Sequence, residues 1–231
     1  MTIKVLAFDL DDTLWDMRPT LIRAEQKLHE WLKSNCPRIS YDPETTRSLR
    51  NEVLQEHPEL KTSISELRRR VIELALQRSG YTPTESESYS HEAFEAFLQA
   101  RNQVLFFDGA LDAVRELTQR YLLGTLTNGN ADIQRLGLSD YFSFSFSAEQ
   151  VGAPKPAPNL FHAALEHTGV KAQEMIYIGD HPEFDVGAAH DVGLHTIWVN
   201  LNERAFPGEV LPDEEIGQLS DLPAAVGRID S

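Results

Sequence analysis

Two aspartates lie close together near the start of the chain, in the stretch FDLDDTL (residues 8–14). Asp9 and Asp11 are two residues apart, so both carboxylates can approach one ligand where the chain turns. Two ionised carboxylates this close repel each other, and such a pair needs either a cation or a raised pKa. Taken alone, the same stretch is equally well explained as a solvated acidic turn.

Two further motifs carry groups that suit a phosphate. Thr127 and Asn128 begin the sequence TNGN, where a hydroxyl, an amide and backbone N–H groups are matched to a phosphate oxygen. Lys155 lies between two prolines in GAPKP, and a lysine held in this way can act as a point charge on a phosphate. An ordinary turn and a surface lysine are the simpler interpretations of each motif by itself.

A fourth motif, GDHPEFD (residues 179–185), has the character of a metal site. Asp180 and Asp185 could bind a hard, oxygen-seeking ion such as Mg²⁺. Gly179 has no side chain and would let the backbone come close to a ligand. The alternative is a pair of acidic residues at a helix N-terminus, where the helix dipole favours them.

The motifs fall at the ends of predicted strands. Short β-rich apolar runs predict buried parallel strands at Ile3–Leu10, Tyr121–Leu126, Phe142–Phe146, Met175–Ile178 and His195–Val199. Helical patterns alternate with them around residues 111–119, after residue 156 and through residues 185–191. This alternation predicts an α/β fold with a parallel sheet covered by helices on both faces. Ligands bind beyond the carboxyl ends of such strands, so we expect the four motifs to form one site.

A second domain is predicted between the first two strands. Four amphipathic patterns follow one another there, and they can bury their apolar stripes as a small helical bundle. The third begins at Ser63, with Glu66 as the partner in a capping box, and the fourth follows Pro83. Residues 16–105 hold 14 acidic and 13 basic residues, whereas the rest holds 22 and 8. We therefore expect a core domain of residues 1–15 and 106–231 and a helical domain of residues 16–105.

Composition excludes several classes of protein. The 231 residues include 36 acidic and 21 basic ones, a net charge of −15 that disfavours a general affinity for nucleic acid. No apolar run approaches the roughly 18 residues of a membrane span. Cys36 is the only cysteine, so neither an internal disulfide nor a cysteine-rich metal site can form. The early aspartates do not fit a secretory signal, and we expect a cytoplasmic protein.

In combination, the motifs resemble those of phosphatases of the haloacid dehalogenase superfamily over nearly the whole chain. The run DLDDTL (residues 9–14) matches the first motif of that superfamily, Thr127 with Asn128 the second, Lys155 the third and GDHPEFD the fourth. The fourth motif departs from the usual pattern at His181 and Pro182, where small or polar residues are frequent. The resemblance implies a Rossmann-like α/β core with a helical cap domain inserted after the first strand.

The resemblance also implies a mechanism. Asp9 would attack phosphorus and become an aspartyl phosphate. Asp11 would protonate the leaving alcohol and then take a proton from the attacking water. Thr127 and Lys155 would neutralise the phosphoryl oxygens, with help from the Asn128 backbone N–H.

A Mg²⁺ cofactor belongs to this mechanism. By resemblance, the ion would be held by Asp9, the backbone carbonyl of Asp11 and Asp180, while Asp185 would orient the shell of the ion or Lys155. Electrostatics also calls for a cation, because a phosphate dianion beside three or four carboxylates meets a repulsion of several kcal/mol. One lysine cannot cancel that repulsion.

Asp11 separates the possible reactions. Dehalogenases and phosphonate-cleaving members of the superfamily usually lack this aspartate, so its presence favours phosphate esters. A phosphomutase keeps both aspartates and is the nearest enzymatic rival. From a different class, a phosphorylated receiver domain combines similar residues, but its phosphorylated aspartate follows a later strand and its fold has no helical insertion.

The expected partner is a small phosphorylated metabolite, chosen by the helical domain. Arg18 follows the first motif closely and could contact the substrate. The short segments at residues 16–19, 127–131 and 137–142 resemble those of the bacterial phosphatases that dephosphorylate flavin mononucleotide and the ribityl-aminouracil phosphate of riboflavin synthesis. The sequence leaves the substrate and the oligomeric state open.

Overall fold

Six parallel strands form the centre of one of two compact units in the structure, a computed structural model that describes residues 2–231. The strands are β1 (Val5–Phe8), β2 (Leu122–Thr127), β3 (Phe144–Ser147), β4 (Met175–Gly179), β5 (His195–Val199) and β6 (Glu214–Ile216). Their order in the sheet is β3-β2-β1-β4-β5-β6, and each neighbouring pair is parallel. This sheet unit comprises the residues up to Met17 together with Val104–Ser231.

Strand β1 is central and is buried on both faces. Val5 pairs with Leu122 on one side and with Met175 on the other. Successive side chains point to opposite faces of a sheet, so Leu6 and Phe8 join one apolar core while Val5 joins the other. An uninterrupted apolar run is therefore what this position requires.

Helices cover both faces of the sheet. α5 (Ala110–Leu117) and α9 (Leu222–Ile229) pack on the face of Leu6 and Phe8. α7 (Asn159–Thr168) and α8 (Ala188–Val192) pack on the opposite face, and the single turn α6 (Ala148–Val151) follows β3. The predicted α/β class with a Rossmann-like parallel sheet is confirmed.

One predicted helix of the sheet unit differs in the structure. The helical pattern through residues 185–191 is α-helical only in α8, because Pro182–Gly187 forms a wider π-helical turn. In that turn the Val186 N–H lies 3.3 Å from the carbonyl of His181, five residues back. Short 3₁₀ turns also lie at Ala172–Glu174 and Leu219–Asp221.

The second unit, Arg18–Gln103, is helical. Its helices are α1 (Met17–Asn35, which begins at the boundary), α2 (Pro43–Glu56), α3 (Ile64–Arg78) and α4 (Pro83–Arg101), with a 3₁₀ turn at Pro58–Thr62. Their apolar stripes bury one another, as Leu28, Leu67 and Phe97 show with 0–1% exposure. Within residues 2–231, none of the helices combines the length and apolarity that crossing a membrane requires.

The predicted capping box at the start of α3 is wrong. The Ser63 side chain makes no capping hydrogen bond, and the Glu66 carboxylate is bonded instead to the Arg69 guanidinium at 2.5 Å. A capping box is present instead at α4, where Thr82 and Glu85 exchange hydrogen bonds. The ion pair formed one turn along α3 thus prevents Glu66 from reaching back to the cap.

The chain leaves and re-enters the sheet unit at neighbouring points. After β1 it turns through residues 10–15, and on its return from the helical unit it pairs with that turn. The Phe107 N–H donates to the carbonyl of Leu14 at 2.9 Å, and Phe106 forms an antiparallel bridge with Trp15. The two connections are therefore fixed against each other within the sheet unit.

Candidate active site

Asp9 is the first residue after β1 and is 7% exposed. Its N–H donates to the Ile178 carbonyl of β4 at 2.8 Å, which continues the sheet pairing by one residue. The chain then turns sharply, with Asp12 in the left-handed region at φ 61°. The Asp12 carboxylate accepts from the Met17 N–H at 2.8 Å, at the first residue of α1. The end of the central strand thus presents Asp9, and the turn presents Asp11 and Asp12.

The ammonium of Lys155 is buried beside Asp9. Its Nζ donates to Asp9 Oδ1 at 2.8 Å, to Asp185 Oδ1 at 2.7 Å and to the Tyr177 hydroxyl at 2.6 Å. An ammonium has three hydrogens, so these three acceptors use all of them. The Tyr177 hydroxyl in turn donates to the Leu126 carbonyl at 2.9 Å. Lys155 is therefore held at one defined point between two carboxylates.

Asn128 fixes the backbone of Lys155. Its Oδ1 accepts from the Lys155 N–H at 2.7 Å, and its Nδ2 donates to the Lys155 carbonyl at 3.0 Å. This side chain therefore holds the lysine loop, a contact that the sequence pattern did not indicate. The predicted phosphate contact of Asn128 concerned its backbone N–H, and that role stays a prediction.

Thr127 ends β2 and is 1% exposed. Its Oγ1 accepts from the Gly129 N–H at 2.9 Å, which orients the hydroxyl at the carboxyl end of the sheet. Such a hydroxyl can still donate its hydrogen to an oxygen of a ligand.

Asp180 follows β4 and is held by the first motif and by β5. The Thr13 hydroxyl lies 3.4 Å from both Asp9 Oδ2 and Asp180 Oδ1, and it accepts from the Asp180 N–H at 3.1 Å. The indole N–H of Trp198 donates to the Asp180 carbonyl at 2.8 Å. Two separate elements therefore position this carboxylate next to Asp9.

Asp185 is buried under the end of β4, and Gly179 makes room for it. A Cβ at Gly179 would lie 2.4 Å from Cγ of Asp185, which no side chain tolerates. Asp185 Oδ1 accepts from Lys155 and Oδ2 accepts from the His181 N–H at 2.8 Å. The sequence suggested that Gly179 admits a ligand, but in the structure the neighbouring group is the Asp185 carboxylate.

The site is short of positive charge. The pKa of Asp9 is raised to about 8, and burial is the largest cause. The charge of Lys155 lowers this pKa only in part, and repulsion from Asp185 and Asp11 raises it further. Burial, followed by the charges of Asp185 and Asp12, raises the pKa of Asp180 to about 7. Burial lowers the pKa of Lys155, but Asp185 and Asp9 outweigh this, so the net shift is upward and the ammonium stays charged.

Three carboxylates of the site could hold a metal ion. One oxygen each of Asp9, Asp180 and Asp185 lies within 4.8 Å of the others. An all-oxygen set of this kind fits a hard divalent cation and not a thiolate-seeking or imidazole-seeking metal. Burial is the largest cause of the raised pKa values of Asp9 and Asp180, and repulsion between the carboxylates adds to it. A bound cation would relieve that repulsion.

The structure brings four predicted residues into direct contact or close range: Asp9, Lys155, Asp180 and Asp185. Asn128 joins them through the Lys155 backbone. Arg18 lies on α1 in the helical unit, and its predicted contact with substrate stays a prediction.

Three side chains of the site were not singled out from the sequence: Thr13, Tyr177 and Trp198. Tyr177 had a detectable signal, because it is the one hydroxyl-bearing residue in the apolar strand MIYIG. Trp198 had none, because an indole in a buried strand is ordinarily explained by packing alone.

The fold and these motifs are those of a known enzyme family. The family model of the haloacid dehalogenase-like hydrolases matches residues 3–193, so the chain belongs to this family. The resemblance found in the four motifs is confirmed, and the protein is an enzyme with phosphatases among its relatives.

Particular relatives are similar over most or all of the chain. The 5-amino-6-(5-phospho-D-ribitylamino)uracil phosphatase YigB of Escherichia coli is 30% identical over 229 residues, which cover 97% of this chain and 96% of that protein. Phosphoserine phosphatase of Thermus thermophilus is 34% identical over 161 residues, or 67% of this chain and 63% of that protein. Among solved structures, the 2-haloacid dehalogenase of Pseudomonas syringae pv. Tomato is 41% identical with a TM-score of 0.95, covering 98% of this chain and 99% of that one.

Proposed function

We propose that the protein is a Mg²⁺-dependent phosphatase that hydrolyses a small phosphomonoester through an aspartyl phosphate on Asp9. The observation that carries this proposal is the buried contact between Lys155 Nζ and Asp9 Oδ1 at 2.8 Å, beside a cluster of three carboxylates. The lysine fixes one oxygen of the nucleophile and leaves Oδ2, which lies 3.4 Å from the Thr13 hydroxyl, as the oxygen that attacks.

In the first step, an Asp9 oxygen forms a bond to phosphorus while the bond from phosphorus to the ester oxygen breaks. The electron pair of that bond stays on the ester oxygen, which receives a proton from Asp11 and leaves as an alcohol. In the second step, water attacks phosphorus and gives a proton to Asp11. The bond from phosphorus to Asp9 then breaks, and inorganic phosphate and the free carboxylate are released.

Lys155 and Thr127 stabilise the charge that develops on the phosphoryl oxygens. All three Lys155 hydrogens are already hydrogen-bonded, one of them to Asp9. When Asp9 is esterified, its carboxylate loses its negative charge, and this third hydrogen can turn to a phosphoryl oxygen. The other two bonds, to Asp185 and Tyr177, keep the ammonium in place.

The residues present fit a bound divalent cation. Asp9, the backbone carbonyl of Asp11 and Asp180 would hold it, and we assign Asp185 to holding Lys155 because both its oxygens already accept hydrogen bonds. The ion would supply the positive charge that lets a phosphate dianion approach the carboxylates. Mg²⁺ is the divalent ion that one or two carboxylates plus substrate phosphate usually bind.

A dehalogenase is the second candidate, because the similar Pseudomonas structure carries that name. Halide leaves without a proton, so a dehalogenase has no use for a general acid. Asp11 is present, partly exposed and hydrogen-bonded through Oδ1 to a buried indole, which suits a proton donor at the leaving group. This observation favours phosphate esters.

One assay series separates these reactions. The enzyme is incubated with alkyl and aryl phosphates and with 2-chloropropionate, with Mg²⁺ or with EDTA, and phosphate and chloride are measured. We expect Mg²⁺-dependent phosphate release, no chloride, and no turnover by Asp9→Asn. Chloride release would establish the dehalogenase, and transfer of phosphate to a second hydroxyl without free phosphate would establish a phosphomutase.

The similarity to YigB supports a proposal for the substrate class. YigB acts on a ribityl-aminouracil phosphate and is similar over 97% of this chain. The short segments flanking the motifs also resemble those of phosphatases for this ester and for flavin mononucleotide. We propose this ester or flavin mononucleotide as the substrate, selected by the helical unit acting as a cap and by Arg18. A phosphate-release screen that also contains sugar phosphates, nucleotides and phosphoserine tests this choice.

A further inference from the structure

Trp15 contacts the side chain of Asp11. Its indole Nε1–H donates to Asp11 Oδ1 at 2.9 Å. Trp15 is 0% exposed, and its ring packs edge-to-face on Phe106, with centroids 5.6 Å apart and planes at 85°. A large buried ring in such a contact cannot reorient freely, so the donor is fixed in space.

The backbone holds the same arrangement. The Asp12 N–H donates to the Trp15 carbonyl at 2.8 Å, which closes the turn between the two side chains. Asp12 adopts φ 61°, the left-handed conformation that brings the chain back on itself. A spacing of four residues therefore suffices for the indole to reach the carboxylate, although this segment is not a helix.

We propose that Trp15 is a positioning residue that selects which oxygen of Asp11 carries the catalytic proton. An indole N–H can only donate, so Oδ1 beside it serves as an acceptor and the transferable proton resides on Oδ2. The indole also holds the carboxyl in one rotamer. This inference rests on the proposed function, in which Asp11 is the general acid and base.

A purely structural role of Trp15 predicts a different dependence of the rates on the leaving group. If the hydrogen bond only satisfies a buried N–H, its loss weakens the fold and slows every substrate alike. If it orients the proton, its loss slows only substrates whose leaving group needs that proton. An alkyl phosphate leaves as a basic alkoxide and needs it, whereas 4-nitrophenyl phosphate leaves as a weak base and does not.

The test is the Trp15→Phe variant, which keeps an aromatic ring and removes the N–H. Single-turnover formation of the phosphoenzyme should slow about tenfold with the alkyl ester, as expected for a hydrogen bond to a charged group, and less than about twofold with the aryl ester. Trp31→Phe, on α1 in the helical unit, is the matched control and should change neither rate. Equal slowing of both esters, or none, would overturn the proposal.

A second measurement does not depend on turnover or on folding of Trp15→Phe. The chain has three tryptophans, so protein labelled with ¹⁵N-tryptophan gives three indole resonances. Trp31→Phe and Trp198→Phe assign two of them, and the remaining one belongs to Trp15. Asp11→Ala should shift the Trp15 resonance strongly and leave that of Trp31 in place. An unmoved Trp15 resonance would show that the hydrogen bond is absent.

The roles proposed for Asp11 and for Trp15 can be refuted separately. If Asp11→Asn slows alkyl and aryl esters equally, Asp11 is not the acid and the proposed function needs revision. If Asp11→Asn shows the leaving-group dependence and Trp15→Phe does not, only the role of Trp15 is wrong.

Discussion

At the scale of single residues, the site is a balance between three buried or half-buried carboxylates and one ammonium. Asp9 and Asp11 stand two residues apart but have different surroundings. Asp9 is nearly buried and paired with Lys155, whereas Asp11 is partly exposed and bonded to Trp15. Distinct environments of this kind allow two like side chains to act as nucleophile and as acid.

Replacement of Asp11 tests this division. Asp11→Asn removes the proton donor, and the phosphorylation step should slow by about 10²–10⁴-fold with an alkyl ester and far less with a nitrophenyl ester. Single-turnover kinetics measures this step, because steady-state rates mix it with hydrolysis. With the nitrophenyl ester, hydrolysis of the intermediate slows more than its formation, because Asp11 is also the base for the attacking water. The phosphorylated Asp9 form should then accumulate and be visible by mass spectrometry. A uniform loss with both esters would assign Asp11 only a structural role.

Tyr177 should affect both stability and activity, because its hydroxyl holds the Lys155 ammonium. Tyr177→Phe leaves one Lys155 hydrogen and the Leu126 carbonyl without partners in a buried site, which should lower the free energy of unfolding by about 1–3 kcal/mol. The ammonium loses one of its three fixed contacts, so kcat should fall with little change in KM. Chemical denaturation and steady-state kinetics measure the two effects.

The control for that variant is Tyr121→Phe. Its hydroxyl donates to Asp230 at 2.8 Å in the same unit, and neither residue belongs to the site. This variant should lose stability of about 1 kcal/mol and keep full activity. If both tyrosine variants behave alike, Tyr177 has no special connection with Lys155.

At the scale of elements, the strand ends place the chemistry, and this part could be predicted from the sequence. Apolar runs followed by polar groups identify parallel strands and the edge at which their carboxyl ends meet, as at β1 with Asp9 and β4 with Asp180. Strand β6 and helix α9 were not predicted, because segments of three and eight residues are too short to show a clear periodicity.

Contacts that cross the sheet were also beyond prediction. Tyr177 lies on β4, yet its hydroxyl reaches the Leu126 carbonyl of β2, with β1 between them. Sequence spacing carries no information about such a contact, since it depends on strand order and on the face to which the side chain points. The Asn128 clamp on Lys155 is a similar case, because it joins two loops 27 residues apart.

Gly179, at the end of β4, lies so close to the Asp185 side chain that a larger residue there should reduce activity. Gly179→Ala would place a Cβ 2.4 Å from Asp185 Cγ and force that carboxylate away from Lys155. A displacement of about 1 Å in a catalytic group can reduce rates about 100-fold, and we expect a loss of at least this size in kcat/KM. Gly217→Ala, where a Cβ would meet nothing within 4 Å, is the control and should be fully active. Normal turnover of Gly179→Ala would show that the position of Asp185 is unimportant.

At the scale of the whole molecule, the charge of the site links stability to pH. The pKa values of Asp9 and Asp180 are raised from 3.8 to about 8 and about 7. Between about pH 4 and pH 8 the folded protein therefore binds more protons at these groups than the unfolded chain does. Their contribution to the free energy of unfolding is complete below pH 4 and is lost as the pH rises through 7 and 8.

A divalent cation should reverse this loss, since it takes the place of the protons. The difference in Tm between protein with excess Mg²⁺ and protein with EDTA should increase from pH 5.5 to pH 8.5, measured by differential scanning fluorimetry. The increase should be smaller in Asp180→Asn, which lacks one of the two titrating groups. A Tm difference that is independent of pH would mean that the carboxylates are not the ligands.

The pairing of Phe106 and Phe107 with the turn after β1 has an evolutionary consequence. It holds together the two points at which the helical unit joins the sheet, and the entropy of closing such a loop grows only slowly with its length. A different domain with closely spaced termini could be inserted at this point, and Asp9, Lys155 and Asp180 would keep their positions in the sheet unit. On the proposed role of the helical unit, replacement of this insertion would change the substrate and leave the reaction unchanged.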